Sequence, residues 1–293
     1  MKTVQFEKIV SEVEKLSIKS CYELPQDVLT ALENAEQKES NSSAKKILNQ
    51  LIENAKIAQD RNIPICQDTG LAVVFVQLGS NVQLSPENKT VVDAINAGVA
   101  NGYEKGFLRK SVVAKPLNNP RLEGREACGR KNTGTNTPAI IHTEIVPGDK
   151  IRITLLAKGG GCENKSQFKM FLPTDDKEKI IDWIVNVASQ AGADACPPFV
   201  VGIGLGGNFE QCCLLSKKAL IRNLDSQNPD PFYAGMEKQL LRKINSLGIG
   251  PAGLGGDTTA LACLIETAPC HIASLPVAVN IECHAHRHAT VEI

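Results

Sequence analysis

Apolar positions at helical spacing dominate residues 1–60. Val4, Phe6, Ile9, Val10, Val13 and Leu16 fall on one face of a helix, with charged residues between them. A second helix is opened by Pro25 and carries Val28, Leu29 and Leu32. After a polar connector over residues 36–43, Asn41-Ser42-Ser43 reads as a cap for a third helix bearing Ile47, Leu48, Leu51, Ile52 and Ala55. The period then changes. LAVVFVQL, directly after the loop PICQDTG, reads as a strand, and residues 91–100 as a helix. Residues 140–157 predict a hairpin turning at Pro147-Gly148-Asp149, with Ile151, Ile153 and Leu155 alternating. Residues 175–190 predict a helix with acidic residues in its first turn and Gly192 just past its end. A buried strand over 199–205 leads through Gly206-Gly207 into another helix. Residues 234–247 are helical, and residues 259–265 and 276–281 are strands. The pattern predicts a mixed α/β (α+β) chain. A helical N-terminal layer (residues 1–60) packs on a mixed sheet within one domain, residues 1–293, and Gly-rich loops carry the site.

Composition narrows the class. The 293 residues are 42% apolar and 22% charged, with 32 basic and 32 acidic side chains. That describes a globular chain large enough for a substantial core. Zero formal net charge gives no steering toward nucleic acid or an anionic membrane, and no apolar run approaches the roughly 20 residues of a membrane span. The charged amphipathic start lacks the apolar core of a signal peptide, so the expected compartment is the cytoplasm. Ten cysteines there stay reduced, and most such thiols are small buried hydrophobes. With no CxxC pair, a metal site must gather cysteines from distant parts of the chain.

Chemistry-bearing residues concentrate in five loops: residues 64–70, 132–138, 158–165, 195–198 and 282–288. Cys66, Cys196 and Cys283 are flanked there by polar residues or proline, and Cys162 follows three glycines. Three thiolates from separate loops can cradle a 4Fe–4S cluster and leave one iron open. An open iron is a Lewis acid able to bind a carboxylate and take a leaving hydroxyl, which dehydration requires. Two other readings exist. CHAHRH places His284, His286 and His288 two residues apart, which on a strand would put all three on one face for structural zinc. Residues 202–207, GIGLGG, follow a strand, precede a helix and have Asp225 about 20 residues on, as a dinucleotide site would. The plainer reading of those glycines is close backbone packing.

The loops IPICQDTG, NTGTNTPA, AKGGGCENKS, ACPPFVVGIGLGGN, GIGPAGLGGDTTALA and VNIECHAHRHA together resemble the α subunit of class I fumarases, the iron–sulfur fumarate hydratases that share their fold with L-tartrate dehydratase. The resemblance covers the chain from about Lys45 onward. It implies a 4Fe–4S cluster on Cys66, Cys196 and Cys283, with Cys162 a neighbour of the site. It implies substrate contacts from Gln67, Asp68, Arg109 and the backbone of Gly161, with Arg109 clamping a carboxylate through its fork of donors. It also implies acid catalysis by Asp68 with His271. The bottom-up logic of those types agrees, since a carboxyl next to a cluster ligand lies beside the leaving hydroxyl and a histidine titrates near neutrality.

Single-chain members of the family continue beyond the position where this sequence stops, at Ile293. A separate β subunit is therefore expected, in an α2β2 heterotetramer acting on a small dicarboxylate, fumarate/malate or alternatively tartrate. A non-catalytic iron–sulfur or zinc sensor would differ in leaving its metal indifferent to dicarboxylates. A nucleotide-binding oxidoreductase would be stabilised by NAD.

Overall fold

A computed structural model describes residues 1–117 and 131–293; Cys128, one of the ten cysteines, lies outside the described residues. The chain opens with β1 (Lys2–Gln5), α1 (Phe6–Tyr22), α2 (Gln26–Lys38) and α3 (Ser42–Arg61). Val4 thus belongs to a short strand, and the buried helical stripe begins at Ile9. Asn41 caps α3 as its sequence predicts, its Oδ1 accepting from the backbone N–H groups of Ser43 and Ala44. Next come β2 (Leu71–Gly79), β3 (Val82–Ser85), α4 (Val91–Lys105), β4 (Ile140–Val146) and β5 (Ile151–Lys158). The single turn α5 (Gly160–Glu163) leads to β6 (Gln167–Phe171) and α6 (Lys177–Ala191), which ends at Gly192 with φ +53°. Then follow β7 (Phe199–Gly206), α7 (Phe209–Ala219), α8 (Pro231–Asn245), β8 (Ala260–Ala268), β9 (Leu275–Glu282) and β10 (His288–Glu292). The class is mixed α/β. Among the described residues no helix is long and apolar enough to cross a membrane.

The contacts fall into two compact units. The first comprises Met1–Leu24, Ala58–Lys158 and Arg287–Ile293. Its main sheet has the order β10-β5-β2-β4, with β4 parallel to β2 and β5 antiparallel to it. The expected hairpin of β4 with β5 is therefore corrected, because β2 lies between them. The reason is burial: β2 is apolar on both faces and fits only the centre, whereas the largely exposed β4 suits an edge. Val74, Val76, Ile153 and Leu155 share one face of this sheet in a core with Ile9, Val13, Ile95 and Val99 of the helices.

The second unit comprises Pro25–Ile57 and Gly159–His286, with the sheet order β6-β9-β7-β8. β7 shows a period of two. Phe199, Val201, Ile203 and Leu205 enter a core with Ile184 of α6 and Leu240 of α8. The alternate positions Gly202 and Gly204 receive α7, where a Cβ would stand 2.1 Å from the carbonyl oxygens of Ser216 and Cys212 respectively. These glycines serve close helix–strand packing, not a phosphate.

Candidate active site

In the first unit the loop between α3 and β2 carries Cys66, Gln67 and Asp68 and is tied down from several sides. Ile65 N–H donates to Cys21 O at 2.9 Å, and Asp68 Oδ1 accepts from Gly70 N–H at 2.9 Å, closing a tight turn. Gly70 holds φ +72°, and a Cβ there would meet Lys158 O at 2.5 Å, so only glycine fits. Tyr103 Oη donates to Thr69 O at 2.7 Å. Burial pushes the Tyr103 hydroxyl well above its usual range and the Cys21 thiol up to about 11, so both remain neutral beside this loop. Thr69 Oγ1 donates to Arg109 O at 2.9 Å, which brings the Arg109 backbone to the loop that holds Gln67 and Asp68.

Two further residues complete this arrangement. Asn136 of NTGTNTPA is fully buried; its Nδ2 donates to Gly70 O at 3.1 Å and its Oδ1 accepts from Ser111 N–H at 2.6 Å. Arg287, 1% exposed, donates from Nη1 to Asp68 O at 2.5 Å. A buried guanidinium on that carbonyl holds the backbone of the Asp68 turn. The side chains of Gln67 and Arg109 are exposed, and those of Cys66 and Asp68 are half-buried.

In the second unit Cys196 follows the 3₁₀ turn Gly192–Ala195 and holds φ +53°, ψ +64°. Left-handed backbone at a non-glycine residue is strained and collects at functional positions. Its carbonyl accepts from His284 N–H at 3.2 Å and lies 3.0 Å from His284 Nδ1. Cys196 and the residue after Cys283 are thereby joined, although 88 positions separate them in sequence. Both cysteines lie at the same sheet end, because β9 runs antiparallel to β7 and pairs Glu282 with Val200.

Glu282, which pattern reading passes over, is fully buried at the end of β9. Its Oε1 accepts from Cys162 Sγ at 3.3 Å and from Cys283 N–H at 3.3 Å, and lies 3.7 Å from Cys283 Sγ. An acid closing the buried strand VAVNIE is the signal that could have found it. Cys162 is thus a direct neighbour of Cys283, while Gly161 is exposed on the short turn of α5.

The three histidines of CHAHRH do not share a strand face. His284 and His286 precede β10, and His286 Nε2 contacts Leu220 O at 2.6 Å instead. His271 is exposed in the β8–β9 turn, where its Nδ1 accepts from Ala273 N–H at 3.1 Å. That turn adjoins the Gly206 end of β7, whereas Cys196 precedes its Phe199 end. At about 3.3 Å per residue the two ends stand roughly 20 Å apart. The fold therefore does not bring His271 to Cys196 and Cys283.

The donor chemistry suits a metal. Cys162 Sγ, a Glu282 carboxylate oxygen and Cys283 Sγ all lie within 4.8 Å of one another. Thiolates accompanied by one carboxylate favour iron, zinc and iron–sulfur centres over magnesium or calcium. Cys66 and Cys283 are half-buried and Cys196 is exposed, unlike the buried Cys21, Cys212 and Cys263. Their thiols can be reached from solvent.

A mixed α/β fold in which two cysteines from separate segments flank a buried carboxylate places the chain among proteins able to hold a metal. The model of the family described as fumarate hydratase (Fumerase) matches residues 10–292, and the chain belongs to this family of hydro-lyases. A Methanocaldococcus jannaschii protein provisionally named L(+)-tartrate dehydratase subunit alpha is 42% identical over 287 residues, 98% of each chain. L(+)-tartrate dehydratase subunit alpha of Escherichia coli UTI89 is 32% identical over 271 residues, covering 92% of this chain and 86% of that one. The protein of the same name from Shigella boydii is 32% identical over 269 residues, covering 92% and 85% respectively.

Proposed function

We propose that the chain is the α subunit of an iron–sulfur hydro-lyase acting on a small dicarboxylate, and that its reaction is the reversible hydration of fumarate to L-malate. Cys66, Cys196 and Cys283 hold a 4Fe–4S cluster in this reading, in a reducing cytoplasm. When bound, the cluster supplies an open iron, a Lewis acid for the substrate's carboxylate and hydroxyl. The observation that carries the reading is the hydrogen-bonded junction of Cys196 with His284, next to Cys283, in a chain matched to the family from residue 10 to 292.

The chain's own residues do the rest. Arg109 pairs with a substrate carboxylate, which a guanidinium fork binds in two-point fashion. Gln67 and the backbone of Gly161 orient the substrate. Asp68, whose Oδ1 accepts from Gly70 N–H, is the acid of this reading and passes a proton to the departing hydroxyl. His271 enters only through the resemblance, and unchanged turnover in His271→Asn would remove it. The relatives named above are α subunits, and we extend that arrangement to this chain: a β subunit completes the site in an α2β2 assembly.

The names of those relatives favour a second reading, dehydration of L(+)-tartrate to oxaloacetate, which uses the same carboxylate clamp. Anaerobic iron–sulfide reconstitution with the β subunit tests both. We expect an EPR signal from the cluster that malate alters, and turnover of fumarate exceeding that of tartrate. Faster tartrate turnover selects the second reading. A cluster that forms equally well in Cys66→Ser overturns the ligand assignment.

A further inference from the structure

We propose that Cys162, Glu282 and Cys283 form a mononuclear metal site that takes one divalent transition ion of the zinc or ferrous class when no cluster occupies Cys283. The last condition rests on the cluster reading above; the site itself does not.

The geometry is that of a tetrahedral face. With metal–sulfur bonds of about 2.3 Å and metal–oxygen bonds of about 2.1 Å, a tetrahedron has S···O edges near 3.6 Å and an S···S edge near 3.8 Å. Glu282 Oε1 lies 3.3 Å from Cys162 Sγ and 3.7 Å from Cys283 Sγ, and all three ligand atoms fall within 4.8 Å. Ligand atoms therefore need move only by tenths of an ångström to about one ångström.

The positions are built on firm supports. Glu282 is the last residue of β9 and is paired with Val200. Cys162 sits in α5, closed by Glu163 N–H to Gly159 O at 3.1 Å and Asn164 N–H to Gly160 O at 3.1 Å. Glu282 and Cys162 are buried, at 0% and 3% exposure, while the half-buried Cys283 gives an ion access and leaves the fourth position to water. Two thiolates and a carboxylate select zinc, ferrous or cobaltous ions over hard cations.

On binding, the ion replaces the two thiol protons, which pass to solvent, and no electron is transferred. The Glu282 carboxylate exchanges its contact with the Cys162 S–H for the metal. Because Cys283 would serve both groups, a bound zinc ion competes with cluster assembly.

The test uses the full chain, prepared cluster-free under anaerobic reducing conditions and titrated with cobalt(II) as a spectroscopic probe, then with zinc in competition. We expect one equivalent of cobalt with thiolate charge-transfer bands and the d–d intensity of a tetrahedral site, displaced by zinc. Cys162→Ser and the isosteric Glu282→Gln should each weaken binding by more than about 100-fold, beyond the 10–100-fold typical of losing an outer partner. Cooperative melting and unchanged far-UV circular dichroism establish that each variant is folded. Cys66→Ser and Cys196→Ser should keep the signal. Absence of stoichiometric cobalt, binding indifferent to Cys162→Ser, or equal loss in Cys66→Ser would each overturn the proposal. Iron–sulfide reconstitution judges the cluster reading separately: Cys162→Ser should form the cluster and Cys66→Ser should not.

Discussion

Asn136 is a small residue with three structural jobs, and its amide uses both ends. It donates to the carbonyl of Gly70 and accepts from Ser111 and Val112, so three loops of the first unit depend on one side chain. Its own φ of +58° is one that asparagine tolerates better than most residues. Asn136→Ala leaves these buried groups without their partner, so we expect a loss of about 2–4 kcal/mol in urea unfolding and weaker dicarboxylate binding by the complex. Arg287→Met should act differently. It removes the donor to Asp68 O, and if Asp68 has its proposed role turnover should fall by more than substrate affinity does, because the turn carrying it is loosened. An equal change in kcat and KM would count against that role. Asn136 lay within a noticed motif, but its job was not legible, because all its partners are distant backbone atoms.

The hydrophobic pattern located the longer helices and the main apolar strands, because amphipathic stripes and apolar runs are local properties; the short strands β1, β3, β6 and β10 escaped it. α3 starts at the asparagine cap and α6 ends at its glycine, as their sequences require. Strand partnership was not local. Pro147-Gly148-Asp149 offers a turn compatible with a hairpin, yet β2 takes the place between β4 and β5 because its two apolar faces need a neighbour on each side. The packing of α7 on β7 yields a prediction at this scale. Gly204→Ala places a Cβ 2.1 Å from Cys212 O, which is backbone and so yields only if α7 lifts. We expect at least about 2 kcal/mol of destabilisation with no effect of NAD on the melting temperature; stabilisation by NAD would restore the dinucleotide reading.

Across the whole molecule, buried thiols set an alkaline limit on stability. Cys21 ordinarily ionises near 9.0 and is pushed up to about 11 by burial; Cys212 is pushed up to about 12 for the same reason. The unfolded chain therefore loses these protons first. Their contribution to stability is complete below about pH 9 and falls as pH rises toward 11 to 12. Cys21 alone should cost on the order of 2 kcal/mol by about pH 10.5. Chemical denaturation at several pH values should show this decline, reduced in Cys21→Ala relative to its own value at pH 8. An identical slope in wild type and variant would refute the assignment.

The sequence by itself determined the class of fold, the longer helices, the main apolar strands and the family, because periodicity, caps and six ordered loop motifs are properties of the chain read in order. It also put forward Cys66, Gln67, Asp68, Arg109, Gly161, Cys196, His271 and Cys283 as candidates for the site. Tertiary structure alone decided that β2 is central, that Cys196 is joined to His284, and that His271 lies at the other end of its sheet. It alone set Glu282 between Cys162 and Cys283. These are juxtapositions of residues far apart in the chain, and they follow from which strands pair, which no local pattern encodes.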